Sequence, residues 1–195
     1  MKISEAKMLI SDILPTERRD HSLRVADVAM QLAERFKVSE QEVKLAALLH
    51  DFAKNHTKEK LKNWILHSSL PKNLLFYHSA IWHGPVGALM LKQKYGISNQ
   101  NVLSAIYCHT TGKEKMSLID KIIFVSDYIE PARKTPGIEE VREAAETNLD
   151  LAAYLILRNT IHYLMSKQYT IYPDTFYAYN ELVEINRRDG GLNNI

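Results

Sequence analysis

Ser39-Glu40-Gln41-Glu42-Val43-Lys44-Leu45-Ala46-Ala47-Leu48-Leu49-His50-Asp51-Phe52-Ala53-Lys54 is the stretch that decides the fold class. Ser39 followed three positions later by Glu42 matches a capping box. Val43, Ala46, Ala47, His50 and Ala53 then recur at helical spacing on one face, so the pattern predicts a helix over 40–53. Upstream, Val25, Ala29, Leu32, Ala33 and Phe36 form a comparable stripe and predict a helix over 19–36, preceded by an amphipathic helix before Pro15. Downstream, Pro71 breaks residues 54–84 into short helices, and Pro85 and Gly96 bracket another helix, with His83 just before it. A helix over 98–109 puts His109 at its carboxyl end. Ile119, Ile123, Ser126, Asp127 and Glu130 line a face of the next helix, which Pro131 stops. Further helices fall at 138–146, 149–167 and 174–188. No alternating strand pattern interrupts this succession, which predicts an all-α, single-domain chain over residues 1–188, with a glycine-containing tail at 189–195 expected to fray.

Composition narrows the function classes. A chain of 195 residues can bury a sizeable core without staples, and its one cysteine, Cys108, cannot close an internal disulfide, which points to the cytoplasm. Twenty-five basic against 23 acidic residues leave +2, too little for a general nucleic-acid or membrane binder. Neither a signal peptide nor an apolar run of membrane-spanning length is visible.

Six residues carry the chemistry: His21, the adjacent pair His50 and Asp51, then His83, His109 and Asp127, each at or near the end of an expected helix. Imidazoles and carboxylates are ligands suited to a divalent metal, and helix ends can converge while their shafts fill a core. Taken singly, a histidine is more often a surface or hydrogen-bonded core residue than a ligand. The pair at 50–51 stands apart, because an apolar run leads straight into a charged aspartate that is costly to bury without a compensating cation or donors.

The order His21, His50-Asp51, Asp127 resembles the metal-binding signature of HD-domain phosphohydrolases. The stretches Leu49-His50-Asp51-Phe52-Ala53-Lys54, Trp82-His83-Gly84-Pro85-Val86-Gly87-Ala88, His109-Thr110-Thr111-Gly112, Asp127-Tyr128-Ile129-Glu130-Pro131-Ala132-Arg133 and Tyr172-Pro173-Asp174-Thr175-Phe176 are similar to the YqeK family of bacterial symmetrical diadenosine tetraphosphate hydrolases. The resemblance implies an all-helical HD-domain fold, an iron-loaded site of one or two ions, and cleavage of a dinucleoside tetraphosphate into two nucleoside diphosphates by hydroxide held on the metal. Nitrogen and oxygen ligands also suit manganese, cobalt and zinc. By the same resemblance His21, His50, Asp51 and Asp127 hold one metal. His83 and His109 either complete a second one, with Asp51 as bridge, or contact phosphate directly.

Lys54, four positions after His50, is expected on the same helical face within reach of a phosphate. Arg133, just past the helix of Asp127, is the expected stabiliser of charge on the leaving diphosphate, and Asp51, Lys54 and Arg133 form the expected catalytic set. Thr110 offers a hydroxyl to phosphate, with Thr175 beside Phe176, whose ring could stack on a purine. The expected ligands are thus a dinucleoside polyphosphate or a purine nucleoside diphosphate, with no nucleic acid and no membrane. Two other readings stand beside this one: another HD-type nucleotide phosphohydrolase or phosphodiesterase, and a non-catalytic nucleotide-binding module.

Overall fold

The computed structural model describes residues 1–190 and 192, and among them the chain forms ten α-helices, two 3-10 turns and no strand. The helices are α1 (Ile3–Ile13), α2 (Thr16–Arg35), α3 (Glu40–Leu49), α4 (Lys58–Leu66), α5 (His83–Tyr95), α6 (Gln100–Cys108), α7 (Leu118–Ile129), α8 (Ile138–Ala145), α9 (Leu149–Ser166) and α10 (Pro173–Arg188). The 3-10 turns, Lys72–Phe76 and Ser79–Ile81, occupy the irregular stretch between α4 and α5. All-α architecture is therefore observed as expected. In the tail expected at 189–195, Asp189, Gly190 and Leu192 donate their amides back to carbonyls of α10, and residues 191 and 193–195 lie outside the described residues.

Two helices are apolar nearly all round and form the centre. In α3, Leu45 to Leu49 are all buried, and in α7 Ile119, Ile122, Ile123, Phe124, Val125 and Ile129 are. Around them α2 lies against both α3 and α7, α6 against both α5 and α7, and α9 against α7, α8 and α10. One contiguous apolar core results.

Local sequence explains the helix boundaries and corrects several expected ones. Asn99 caps α6 by accepting the amides of Asn101 and Val102, so this helix starts at Gln100 rather than 98. Ser117 and Asp120 form a reciprocal capping box at the start of α7. The box expected at Ser39 is only half made: the serine accepts the Glu42 amide, while the Glu42 carboxylate is drawn away to the side-chain amides of Asn99 and Asn101. The α5 helix begins at His83 itself, two residues earlier than its proline suggested.

The most consequential correction concerns residues 50–53. The helix expected to 53 ends at Leu49, and the chain continues in tighter turns, with Phe52 N–H bonded to Leu49 O and Lys54 N–H to Asp51 O. Lys54 therefore does not sit one α-helical turn above His50. The neighbouring side chains of His50 and Asp51 nonetheless approach each other, with His50 Nε2 3.7 Å from Asp51 Oδ2.

Several helix ends meet there. His50 and His109 are the residues immediately after α3 and α6, Asp127 is in the last turn of α7, His83 opens α5, and His21 lies in the second turn of α2. A glycine sets the approach of α5 to α6: a Cβ on Gly84 would lie 2.7 Å from the Tyr107 carbonyl oxygen and 3.0 Å from that of Ile106. No larger residue brings His83 so close to His109.

Candidate metal centre

The six residues expected from sequence do gather. His21, His50, Asp51, His83 and His109 are all at most 5 % exposed, and Asp127 is half-buried beside them. Asp51 is the hub. Its Oδ1 lies 3.1 Å from His83 Nε2 and 3.7 Å from His109 Nε2, and its Oδ2 lies 3.8 Å from His21 Nε2 and 3.7 Å from His50 Nε2. Asp127 faces the second set only: its Oδ1 is 3.1 Å from His21 Nε2 and 3.9 Å from His50 Nε2.

Which nitrogen faces inward is dictated by the other one. A backbone carbonyl or an ionised carboxylate can only accept, so a ring nitrogen bonded to it must be the donor. His50 Nδ1 donates to Ala47 O at 2.7 Å, His83 Nδ1 to Ala80 O at 2.7 Å, and His109 Nδ1 to Ile106 O at 2.8 Å, each to the carbonyl three residues back. His21 Nδ1 donates to Glu130 Oε1 at 3.3 Å. Each of the four rings, when neutral, consequently presents an unprotonated Nε2 toward Asp51. Spontaneous packing of such atoms is unfavourable. His83 and His109 set their Nε2 lone pairs 2.9 Å apart, and the buried Nε2 atoms of His21 and His50 have no hydrogen-bond partner among the described residues. Two carboxylates and four lone pairs converging in a buried space form a donor set that a divalent cation completes. Two compact triads could hold one, His21-His50-Asp127 and His50-Asp51-His109.

The protonation preferences of His50 and His83 agree with that reading. Burial pushes His50 and His83 down to about 4 against the nearby carboxylates, so both rings are neutral at physiological pH. His21 moves up, because Asp127 and Asp51 outweigh its burial. Asp51 and Asp127 are held well below the usual carboxylate range: burial opposes this, but the surrounding imidazoles prevail, with Arg133 adding to the effect at Asp127.

Cations ring the cluster. Lys54 Nζ lies 3.4 Å from His83 Nε2 and 3.9 Å from Asp51 Oδ1, and Thr110 Oγ1 is 3.2 Å from His109 Nε2. Arg133 donates from Nη2 to Asp127 Oδ1 at 2.8 Å and from Nε to the Asp127 carbonyl at 3.2 Å. The turn that presents Arg133 is itself fixed: Arg142 of α8 donates to the carbonyls of Ile129, Glu130 and Arg133 at 3.2–3.3 Å. Thr175 is buried and Phe176 is 49 % exposed on α10. Their helix is nonetheless adjacent, since a Cβ on Gly112, in the turn after His109, would meet the Ala178 side chain at 3.3 Å.

Three participants carried no role in the sequence reading. Glu130, 2 % exposed, holds His21 Nδ1, accepts from Arg24 Nε at 2.7 Å and from the Ala132 amide at 2.8 Å, and is depressed because these donors outweigh its burial. Arg18 places Nη1 3.4 Å from Asp51 Oδ2. The available signal was the i, i+3, i+6 run Arg18, His21, Arg24 on α2, together with Glu130 three residues after Asp127, just past the end of α7. A carboxylate behind a ligating histidine fixes its tautomer and raises its basicity. Glu130→Gln is therefore expected to weaken divalent-metal affinity by about 10- to 100-fold, read by competition with a chromogenic chelator.

The HD domain family model matches residues 18–132, which span α2 to the turn after α7. A Bacillus subtilis protein named "Bis(5'-nucleosyl)-tetraphosphatase, symmetrical" is 40% identical over 183 residues, covering 94% of this chain and 98% of its own. A Staphylococcus aureus protein of the same name is 41% identical over 182 residues, covering 92% and 94%. A Clostridium acetobutylicum crystal structure, described as a "predicted HD superfamily hydrolase involved in NAD metabolism", superposes with a TM-score of 0.88 at 33% identity, over 94% of this chain and 98% of that one.

Proposed function

The chain belongs to the HD-domain family and to its branch of symmetrical bis(5'-nucleosyl)-tetraphosphatases, and from this we propose that its buried cluster hydrolyses diadenosine tetraphosphate to two ADP. One observation carries the proposal: Asp51 turns its two oxygens to two different pairs of inward-facing imidazoles, a donor set for divalent cations beside the cationic side chains of Lys54 and Arg133. His21, His50, Asp51 and Asp127 are assigned to one ion, and His83 and His109 with Asp51 to a second. Iron is the expected metal, and the same ligands accept manganese, cobalt or zinc. When bound, a divalent ion supplies Lewis acidity at the phosphoryl oxygen and lowers the pKa of coordinated water toward about 7.

The remaining work falls to this chain's side chains. Lys54, beside His83, and Thr110, beside His109, orient the phosphates of one nucleotide half, and Thr175 and Phe176 on the adjacent α10 are assigned to its nucleoside. Arg133, fixed on Asp127, is placed to meet charge that develops on the departing diphosphate. In the overall reaction water adds to one inner phosphorus, and the bridging oxygen leaves with the other inner phosphate. A cytoplasmic setting belongs to this reading, supported by the nucleotide substrate and the single unpaired cysteine, Cys108. Among the described residues no helix is long and apolar enough to cross a membrane.

The test is to incubate anaerobically purified, metal-quantified protein with diadenosine tetraphosphate and resolve the products by ion exchange. ADP as sole nucleotide product is expected, and AMP with ATP would overturn the proposal.

A further inference from the structure

The net charge of +2 excludes a uniformly basic surface but conceals a segregation. Residues 54–113 hold eight lysines against a single acidic residue, Glu59, so the rest of the chain is net acidic. Asymmetry of this kind, more than the total, marks a face that binds polyanions. Five of these lysines, Lys58, Lys60 and Lys62 of α4 and Lys92 and Lys94 of α5, are exposed. The ion pairs that lysines do make involve Lys54, Lys113 and Lys121 instead. Between α4 and α5 lies an open groove lined by Asn63, Trp64, His67 and Gln93, none of them acidic. Lys60, Trp64 and His67 recur at i, i+4 and i+7, which puts them on one face of α4 and its cap. Lys94 lays its ammonium 5.3 Å from the centroid of the half-buried Trp64 ring. Burial, Lys60 and Lys94 together hold the His56 ring below its ordinary pKa, so two cations from opposite walls of the groove act on one point. His67 Nδ1 donates to the Asn63 carbonyl at 2.9 Å, which leaves Nε2 as an acceptor. Asn63 and Gln93, both exposed, each add two donors and an acceptor. Rings that stack, amides that meet base edges and lysines that meet phosphates are the components of a single-strand site. A lipid surface would engage the lysines alone.

We propose that the α4–α5 face binds single-stranded nucleic acid. A base takes the place of the Lys94 ammonium on the Trp64 ring, and the displaced ammonium, with Lys60, meets the flanking phosphates. The site is separate from the reaction proposed above, since no group of the metal centre takes part in it.

The test titrates the metal-loaded protein, in excess ADP to keep the metal centre filled, with an oligouridylate RNA of about 12 nucleotides, and in parallel with oligothymidylate DNA and an RNA duplex of the same length. Saturable quenching of tryptophan fluorescence is expected, with Kd of about 10⁻⁵ M near about 50 mM salt and a log–log salt slope of about −2 to −3. The signal belongs to Trp64, because the other tryptophan, Trp82, is buried and donates to the Leu74 carbonyl. Trp64→Phe should abolish the quenching while the affinity, read by anisotropy of a labelled oligomer, stays within about fivefold. Lys60→Glu combined with Lys94→Glu should weaken binding at least about tenfold and flatten the slope by about 1 to 2, with the unfolding midpoint and kcat on diadenosine tetraphosphate unchanged. Binding of either single strand supports the proposal, and the tighter of RNA and DNA names the one recognised. Absence of saturable binding, equal affinity for the duplex, or binding unmoved by the charge reversals would each overturn it. So would binding to phosphatidylserine vesicles in place of the oligomers, or a fall in kcat/KM of the reversed variant without oligomer binding by the wild type, which would make the lysines a steering field for the substrate.

Discussion

Asp51→Ala is expected to reduce turnover of diadenosine tetraphosphate by at least about 10³-fold and to strip most of the divalent metal, while the chain remains folded. The loss follows from position: this carboxylate is the one group within 4 Å of all four inward nitrogens. A divalent ion contributes several kcal/mol of charge stabilisation in the transition state, and each 1.36 kcal/mol is a factor of ten. The fold survives because the apolar centre of α3 and α7 does not include it. Metal content, turnover and the midpoint of thermal unfolding, measured together, distinguish this from a folding defect. Wild-type turnover in the alanine variant would show that the cluster is not where the reaction occurs.

Arg133→Ala should lower kcat by about 10²- to 10³-fold, the range seen when one preorganised donor to developing charge is deleted, with metal content unchanged. Asp127 keeps its place without this arginine, since His21 still faces its Oδ1 at 3.1 Å. Lysine at 133 should restore only part of the rate, because a compact ammonium cannot reproduce a planar fork bonded to both side chain and carbonyl of Asp127. An unchanged kcat with a raised KM would make Arg133 a ground-state binder only.

Much of this was legible in the chain because helices write their period into the sequence. The apolar stripes located α2, α3 and α7, and a histidine or aspartate at the end of each stripe marked the point where they converge. Roles that depend on a distant partner were not legible. Glu130 reads as an ordinary acidic residue at a helix end until the fold sets it against His21 and Arg24, more than a hundred positions earlier. Arg18 likewise looks like one of several charges in an exposed first turn until α2 crosses Asp51. The early end of α3 escaped periodicity because Ala53 continues the helical spacing although the hydrogen bonds have already changed. Glu42 escaped for a similar reason, its capping role yielding to a neighbour from another helix.

The helix ends that meet at Asp51 also give the site a polarity. Two of them, α3 and α6, arrive carboxyl end first, and α7 places Asp127 in its last turn. Each carboxyl end carries the negative pole of a helix, worth about half an elementary charge, alongside two ionised aspartates. Lys54, Arg18 and Arg133 stand around that negative centre, so the carboxylates draw a cation inward while the basic rim offers itself to phosphate oxygens.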